Sequence, residues 1–390
     1  MSSLKTVRDL DVRGRRVLVR VDFNVPLEDG IVVDDSRIQA ALPTIRYLQE
    51  RSARVILCSH LGRPKGKVVP GLSLRPVAHY LAGLMGETVG FVEECVGARA
   101  RAAAEALRPG EVMLLENTRF YPQETENDPG FAAELAGLAE LYVNDGFGAA
   151  HRAHASTEGV AHHLPSAAGL LIEREVKFLS EVLKSPERPY VAILGGAKIS
   201  DKIALIGRLL DSVDSLLAGG GMANTFLAAR GLHMGKSLVE PHSLQVAADL
   251  LGRGRDQLHL PIDVVVAADR SEAADHREVA AEDIPAGWQV LDIGSRTVAR
   301  YSQVVSTAKT IVWNGPMGVF ELEPFATGTR RLAEAIARSQ ALSIVGGGDS
   351  VAAVRQAGLA DRITHLSTGG GAALALLEGQ VLPGLAVLQD

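Results

Sequence analysis

"IVGGGDSVAAV", residues 344–354, sets a short apolar run against three glycines, an aspartate and then an apolar repeat of helical spacing. An apolar run bounded by glycine reads as a strand buried on both faces, and the repeat beyond it as a helix. The glycines are then a strand-to-helix turn, the joint from which parallel α/β sheets are assembled. Spacing excludes the dinucleotide fingerprint. Aligned on Gly346 and Gly348, its third glycine falls on Val351, and Asp349 would set a carboxylate beside the phosphates. Either the turn is structural, or positive charge stands between Asp349 and an anion. Asp349 would suit a cation that accompanies a phosphate, and it could equally cap the helix that Gly358 closes.

The same joint recurs outward along the chain. Apolar runs read as strands in "RRVLVRVDF", "ARVILCSH", "EVMLLEN" and "LYVNDGFG" of the first half, and in "PYVAILGG", "SLLAGGG", "IDVVVA", "TIVWNGP", "LSIVGGG" and "ITHLSTGGG" of the second. Alternation with Ala/Leu-rich helical patterns predicts an α/β fold of two doubly wound, Rossmann-like parallel-sheet domains, because 390 residues exceed what one core organises. Between the halves, "LPSAAGLLIEREVKFLSEVLKSPERP" carries an amphipathic pattern from about Ser166 to Leu183, read as the connecting helix. The expected organisation is a domain over 1–165, a connector over 166–184 and a domain over 185–369. A net charge of -6 argues against nucleic-acid binding. With two cysteines, Cys58 and Cys95, no disulfide framework is expected and the compartment is read as reducing. The start "MSSLKTVRDLDVRGRR" lacks an apolar h-region, and no apolar stretch reaches membrane-spanning length. A soluble cytoplasmic protein without membrane contact is expected.

Ligands of open α/β sheets bind beyond the carboxyl ends of the strands, so residues following each strand form a set. The first half supplies Asp22 and Asn24, His60 and Arg63, Arg119, then His151 and Arg152, with Arg20 and Arg37 close by. One arginine at a strand end is ordinarily a solvated surface residue. Repeated from strand to strand on one side of one sheet, it describes a pocket for a small anionic metabolite with hydroxyl groups, which the planar guanidinium suits. His151 and His154 have metal-ligand spacing, but no carboxylate or cysteine completes a set, so packing or anion binding is read there. The second half supplies Gly195 and Gly196 with Lys198 and Lys202, Gly219 to Gly221, Asn314 to Pro316, and Gly346 to Gly348 with Asp349. Lysines four apart, with Ser200 read as the N-cap, offer ammonium groups where a helix start already favours phosphate. Walker A is absent.

These residues belong to stretches that together resemble phosphoglycerate kinase: "RVDFNVP" (20–26), "SHLGRP" (59–64), "LENTRF" (115–120), "AHRAHAS" (150–156), "LGGAKISDKI" (194–203), "WNGPMGVFE" (313–321), "GGGDS" (346–350) and "STGGGA" (367–372). The match runs in order over essentially the whole chain. Gly146, Ala149 and Ala373 depart from the family's usual Ala, Thr and Ser without touching the charged set. The resemblance implies a hinge-bending bilobal kinase that reversibly transfers a phosphoryl group between 1,3-bisphosphoglycerate and ADP, giving 3-phosphoglycerate and ATP with Mg2+. It assigns phosphoglycerate binding to Asp22, Phe23, Asn24, Arg37, His60, Leu61, Gly62, Arg63, Arg119 and Arg152. It assigns nucleotide binding to Gly195, Lys202, Gly219, Asn314, Pro316, Glu321, Gly347, Gly348, Asp349 and Ser350, with Asp349 as metal ligand. Arg37 and Lys198 become the pair that holds the moving phosphoryl group. It further implies a monomer whose C-terminal segment, 370–390, packs back on the first domain. Two other readings stay open: a nicotinamide-dependent oxidoreductase, weakened by the missing fingerprint, and a binding protein of this fold without turnover.

Overall fold

The computed structural model describes residues 4–389. The chain divides into two compact units, one comprising the residues up to Lys177 together with those from Gly379 onward, the other Phe178–Glu378. The first contains a six-stranded sheet in the order Val89–Val92, Val112–Leu115, Arg54–Cys58, Arg16–Arg20, Leu141–Asn144, Ser166–Ala168, every neighbouring pair parallel. The second contains another, in the order Leu258–His259, Ser215–Ala218, Tyr190–Leu194, Thr310–Asn314, Leu342–Gly346, His365–Leu366, again all parallel. Its strand order reverses between Tyr190–Leu194 and Thr310–Asn314, which makes their carboxyl ends the switch point where a crevice opens.

The central strands are apolar throughout because helices cover both faces. Val17, Val19, Val55 and Leu57 are buried in one core, and Ile193, Ile311, Trp313 and Val345 in the other. Each such aliphatic side chain contributes about 1.5–3 kcal/mol by leaving water.

Several expectations need correction. "IDVVVA" is a strand, Asp263–Ala267, but it pairs antiparallel with His276–Ala280 and Gln289–Ile293 in a separate three-stranded sheet. An unbroken apolar run shows burial, not strand direction. The connecting helix does not begin at Ser166. Ser166–Ala168 is the edge strand of the first sheet, and the helix is Leu170–Lys184. Gly169 separates them, where a Cβ would lie 2.1 Å from Asp145 Oδ1. That carboxylate accepts the backbone N–H groups of Leu171 (2.9 Å) and Ile172 (3.3 Å) at the helix start. The division between units falls inside this helix. The segment 370–390 is split: helix Gly371–Leu377 lies in the second unit, and the chain from Gly379 lies in the first, where Gly384 N–H donates to the Ala150 carbonyl (3.0 Å) and Asn144 Nδ2 to the Gly384 carbonyl (3.1 Å). Strands Val89–Val92 and Leu258–His259 carried no sequence signal, being short and peripheral.

Among the described residues no helix is long and apolar enough to cross a membrane, and Cys58 and Cys95 are both buried free thiols.

Candidate active site

Parallel strands deliver the residues that follow them to one edge of the first sheet. Arg20, last residue of its strand, is fully buried. Its Nε donates to Ser156 Oγ (2.8 Å), its Nη2 to His60 Nδ1 (2.9 Å), and its Nη1 to the Val21 carbonyl. Arg37, in the first turn of helix Ser36–Glu50, pairs with Asp22 at 2.7 Å. Asn24 Oδ1 accepts the Gly62 N–H (2.8 Å), and the Phe23 N–H donates to Ser59 Oγ (2.9 Å). The Phe23 and Leu61 side chains lie in the core, so only their backbone serves the edge. Arg119 Nη1 donates to the Gly62 carbonyl (2.9 Å), and Arg152 Nε to His151 Nε2 (3.1 Å). Arg63 and Arg152 are exposed.

Cations outnumber anions here. Burial, reinforced by Arg20 and Arg152, pulls the Arg119 guanidinium down to about 10. Burial, with Arg20, Arg119, Arg37 and His154, holds His60 well below the ordinary imidazole range. Burial and then the neighbouring cations bring His154 down to about 4. Groups that suppress one another's positive charge are relieved by an anion placed among them. The arrangement is electrostatically suited to a compact polyanion. Arg63→Ala is expected to weaken binding of a phosphorylated carboxylic acid at this edge about tenfold or more, since charged hydrogen bonds contribute roughly 1.5–3 kcal/mol; calorimetric titration checks it.

The pH dependence has a definite sign. A folded-state value depressed below the unfolded 6.5 makes His154 contribute stability above about 6.5, lost as pH falls through about 4. Asp145 and Asp292, both raised to about 7 by burial, act oppositely, becoming destabilising as pH rises toward 7. The quantity to measure is therefore the difference in urea-unfolding free energy between the wild type and His154→Gln, which should shrink on acidification.

The second site lies at the switch point of the other sheet. Its glycine turns interlock: Gly195 N–H donates to the Asn314 carbonyl (3.0 Å), Gly196 to Pro316 (2.9 Å), Gly219 to Leu194 (2.8 Å) and Gly220 to Met317 (2.8 Å). Lys202 Nζ ties the ends of both central strands, donating to the carbonyls of Gly195 (2.7 Å) and Asn314 (3.0 Å). Burial brings this ammonium down to about 8 against the pull of Asp201 and Asp349. It stays largely charged at pH 7, with one of its three donors unused by these carbonyls. Lys198 is exposed beside the same turn, and its charge is felt by Glu240.

The caps differ from expectation. Ser200 Oγ donates to Glu240 Oε1 (2.6 Å) and caps nothing; helix Ile203–Leu210 starts after a 3-10 turn at Ser200–Lys202. Asp349 is no cap either. The N-cap is Gly347 at φ 89°, and Asp349 stands exposed in the first turn of helix Gly348–Gln356. Ser350 is buried, its Oγ accepting the Gly315 N–H (2.6 Å), so it shapes the neighbouring turn. The helix Gly220–Ala229 starts at the same edge, and two helix N-termini favour negative charge there.

A cavity of ≈ 210 Å3 opens beside these turns, walled by Gly196, Gly220, Leu238, Pro316, Glu321 and Asp349 among others. Leu238, half exposed, gives an apolar wall that no sequence motif announced. Among the described residues no three His, Cys, Asp or Glu cluster to hold a metal. A divalent ion that keeps waters and takes most of its remaining ligands from phosphates needs only one or two carboxylates, which fits Asp349.

A cation-rich sheet edge in one unit and a glycine-turned cavity at the switch point of the other fit an α/β phosphotransferase. The family model for phosphoglycerate kinase matches residues 7–380. Curated relatives named phosphoglycerate kinase from Chloroflexus aurantiacus and Moorella thermoacetica are 59% and 57% identical, each aligned over 99% of both chains. The solved phosphoglycerate kinase of Coxiella burnetii superposes with a TM-score of 0.89 at 42% identity, covering 99% of both chains, and that of Pyrococcus horikoshii with 0.89 at 34%, covering 99% of this chain and 98% of that one. The chain belongs to the phosphoglycerate kinase family.

Proposed function

We propose that this protein reversibly transfers a phosphoryl group between 1,3-bisphosphoglycerate and ADP, yielding 3-phosphoglycerate and ATP, in the cytoplasm and as a monomer. The observation that carries the reading is the excess of cations around His60 and Arg119, suited to a phosphorylated carboxylic acid, in a chain of this family. In the direction of ATP use, an oxygen of the 3-phosphoglycerate carboxylate attacks the γ-phosphorus, and the bond to the β-phosphate oxygen breaks to release ADP. The acceptor, with an ordinary carboxyl pKa of roughly 3–4, is already ionised. No general base is needed, unlike kinases acting on hydroxyls.

What remains is to hold two anions together in line. Arg63, Arg119 and Arg152 bind the phosphoglycerate, with Asp22 and Asn24 positioning its hydroxyl end. Arg37 and Lys198 neutralise the phosphoryl group in transit. Lys202 and the Gly347–Gly348 turn receive the nucleotide phosphates. Asp349 would hold the Mg2+ that accompanies them, which supplies charge neutralisation. Conversion of 3-phosphoglycerate and ATP in a coupled assay tests the reading; absent turnover, with both ligands still binding, would leave the non-catalytic alternative.

A further inference from the structure

The hydrogen bonds around Arg20 have only one possible polarity. Glu124, fully buried, accepts from Ser156 twice, from the backbone N–H at 2.9 Å and from Oγ at 2.6 Å. A carboxylate only accepts, so the Ser156 hydroxyl proton points to Glu124 and its oxygen is left to accept Arg20 Nε–H at 2.8 Å. At the other end, a guanidinium only donates, so the 2.9 Å contact from Arg20 Nη2 makes His60 Nδ1 an acceptor. A neutral imidazole whose Nδ1 accepts carries its proton on Nε2, which leaves Nε2 as the ring's donor.

We propose that Arg20, anchored through Ser156 to Glu124, is a positioning residue that locks His60 in the Nε2–H tautomer, so that His60 meets the acidic substrate as an uncharged hydrogen-bond donor. The proposal rests on the phosphoglycerate reading of this site only for the substrate's identity. The groups that face His60 oppose its protonation: Arg20, Arg119, Arg37 and His154 all lower its affinity for a second proton, as does burial. The nearby carboxylates are already engaged, Asp22 by Arg37 and Glu124 by Ser156. Positive charge at the site then comes from arginines alone, and guanidinium charge does not vary across physiological pH.

The test uses the full chain labelled with 15N-histidine, the His60 signal identified by its loss in His60→Gln. Expected in the unliganded wild type is an unprotonated Nδ1 and a protonated Nε2, unchanged between about pH 5.5 and 8. A proton on Nδ1, or a doubly protonated ring near pH 6, overturns the proposal, and this reading needs no variant to fold. In Arg20→Met the Nδ1–H tautomer should appear and 3-phosphoglycerate affinity should fall about tenfold, with Arg20→Lys restoring the Nε2–H form. A tautomer identical in Arg20→Met and the wild type would also overturn it. Failure of the coupled assay, by contrast, bears on the function and leaves the tautomer measurement standing.

Discussion

Lys198→Ala is expected to lower kcat about 10²- to 10³-fold while nucleotide affinity shifts by less than about threefold, the pattern of an interaction made only in the transition state. The argument is positional. Lys198 is exposed beside the Gly195–Gly196 turn, whereas Lys202, four residues on, is committed to the carbonyls of Gly195 and Asn314. An ammonium already donating to fixed backbone shapes the site in every state, and one on a free stem can follow charge as it develops. Lys198→Arg should recover part of the loss, because charge is kept while the stem geometry changes. Unaltered kcat with a raised nucleotide KM would instead give Lys198 an ordinary binding role.

The second large effect separates two kinds of glycine. At Gly195 an added Cβ would lie 2.0 Å from the Pro316 carbonyl oxygen and 2.7 Å from that of Gly315, both backbone atoms that cannot swing aside. Gly195→Ala must push apart the interlocked turns at the ends of the two central strands, and a loss of about 3 kcal/mol or more is expected in urea unfolding. At Gly348 a Cβ meets nothing within 4 Å. As the first residue of helix Gly348–Gln356 it needs no special backbone conformation, so Gly348→Ala should hold or raise stability by roughly 0.5 kcal/mol. If the turn receives phosphates, the same substitution should weaken nucleotide binding severalfold, since its methyl group projects into the space the phosphates need. Equal stability losses at the two positions would contradict this division between packing and ligand.

Asp349 shows how far a residue's role can be read before its neighbours are placed. Its carboxylate beside glycines excluded a bare dinucleotide, yet left a cap and a metal ligand equally open. The structure removes the cap, because Gly347 occupies that position and Asp349 faces outward on the first turn, at the wall of the cavity. Arg20 shows the reverse. As an arginine ending an apolar strand it was visible, but its burial and its bond to His60 were not; Ser156 lay in the stretch 150–156 with no role assigned, and Glu124 belonged to none of the motifs.

From sequence alone came the α/β class, the division into two units and the charged residues that the fold gathers at one edge of the first sheet. Those features are local: a strand, a glycine turn and a helix start lie within a dozen residues, and parallel strands bring their following residues to one edge automatically. Tertiary structure decided what depends on distant partners. It turned Asp263–Ala267 into an antiparallel strand, joined Ser166–Ala168 to the first sheet, moved Ser200 from helix cap to partner of Glu240, tied Ser350 to the Gly315 turn, and set the polarity of the chain from Glu124 to His60. Burial direction follows from a residue's own chemistry, whereas pairing and proton position follow from whatever the fold places opposite it.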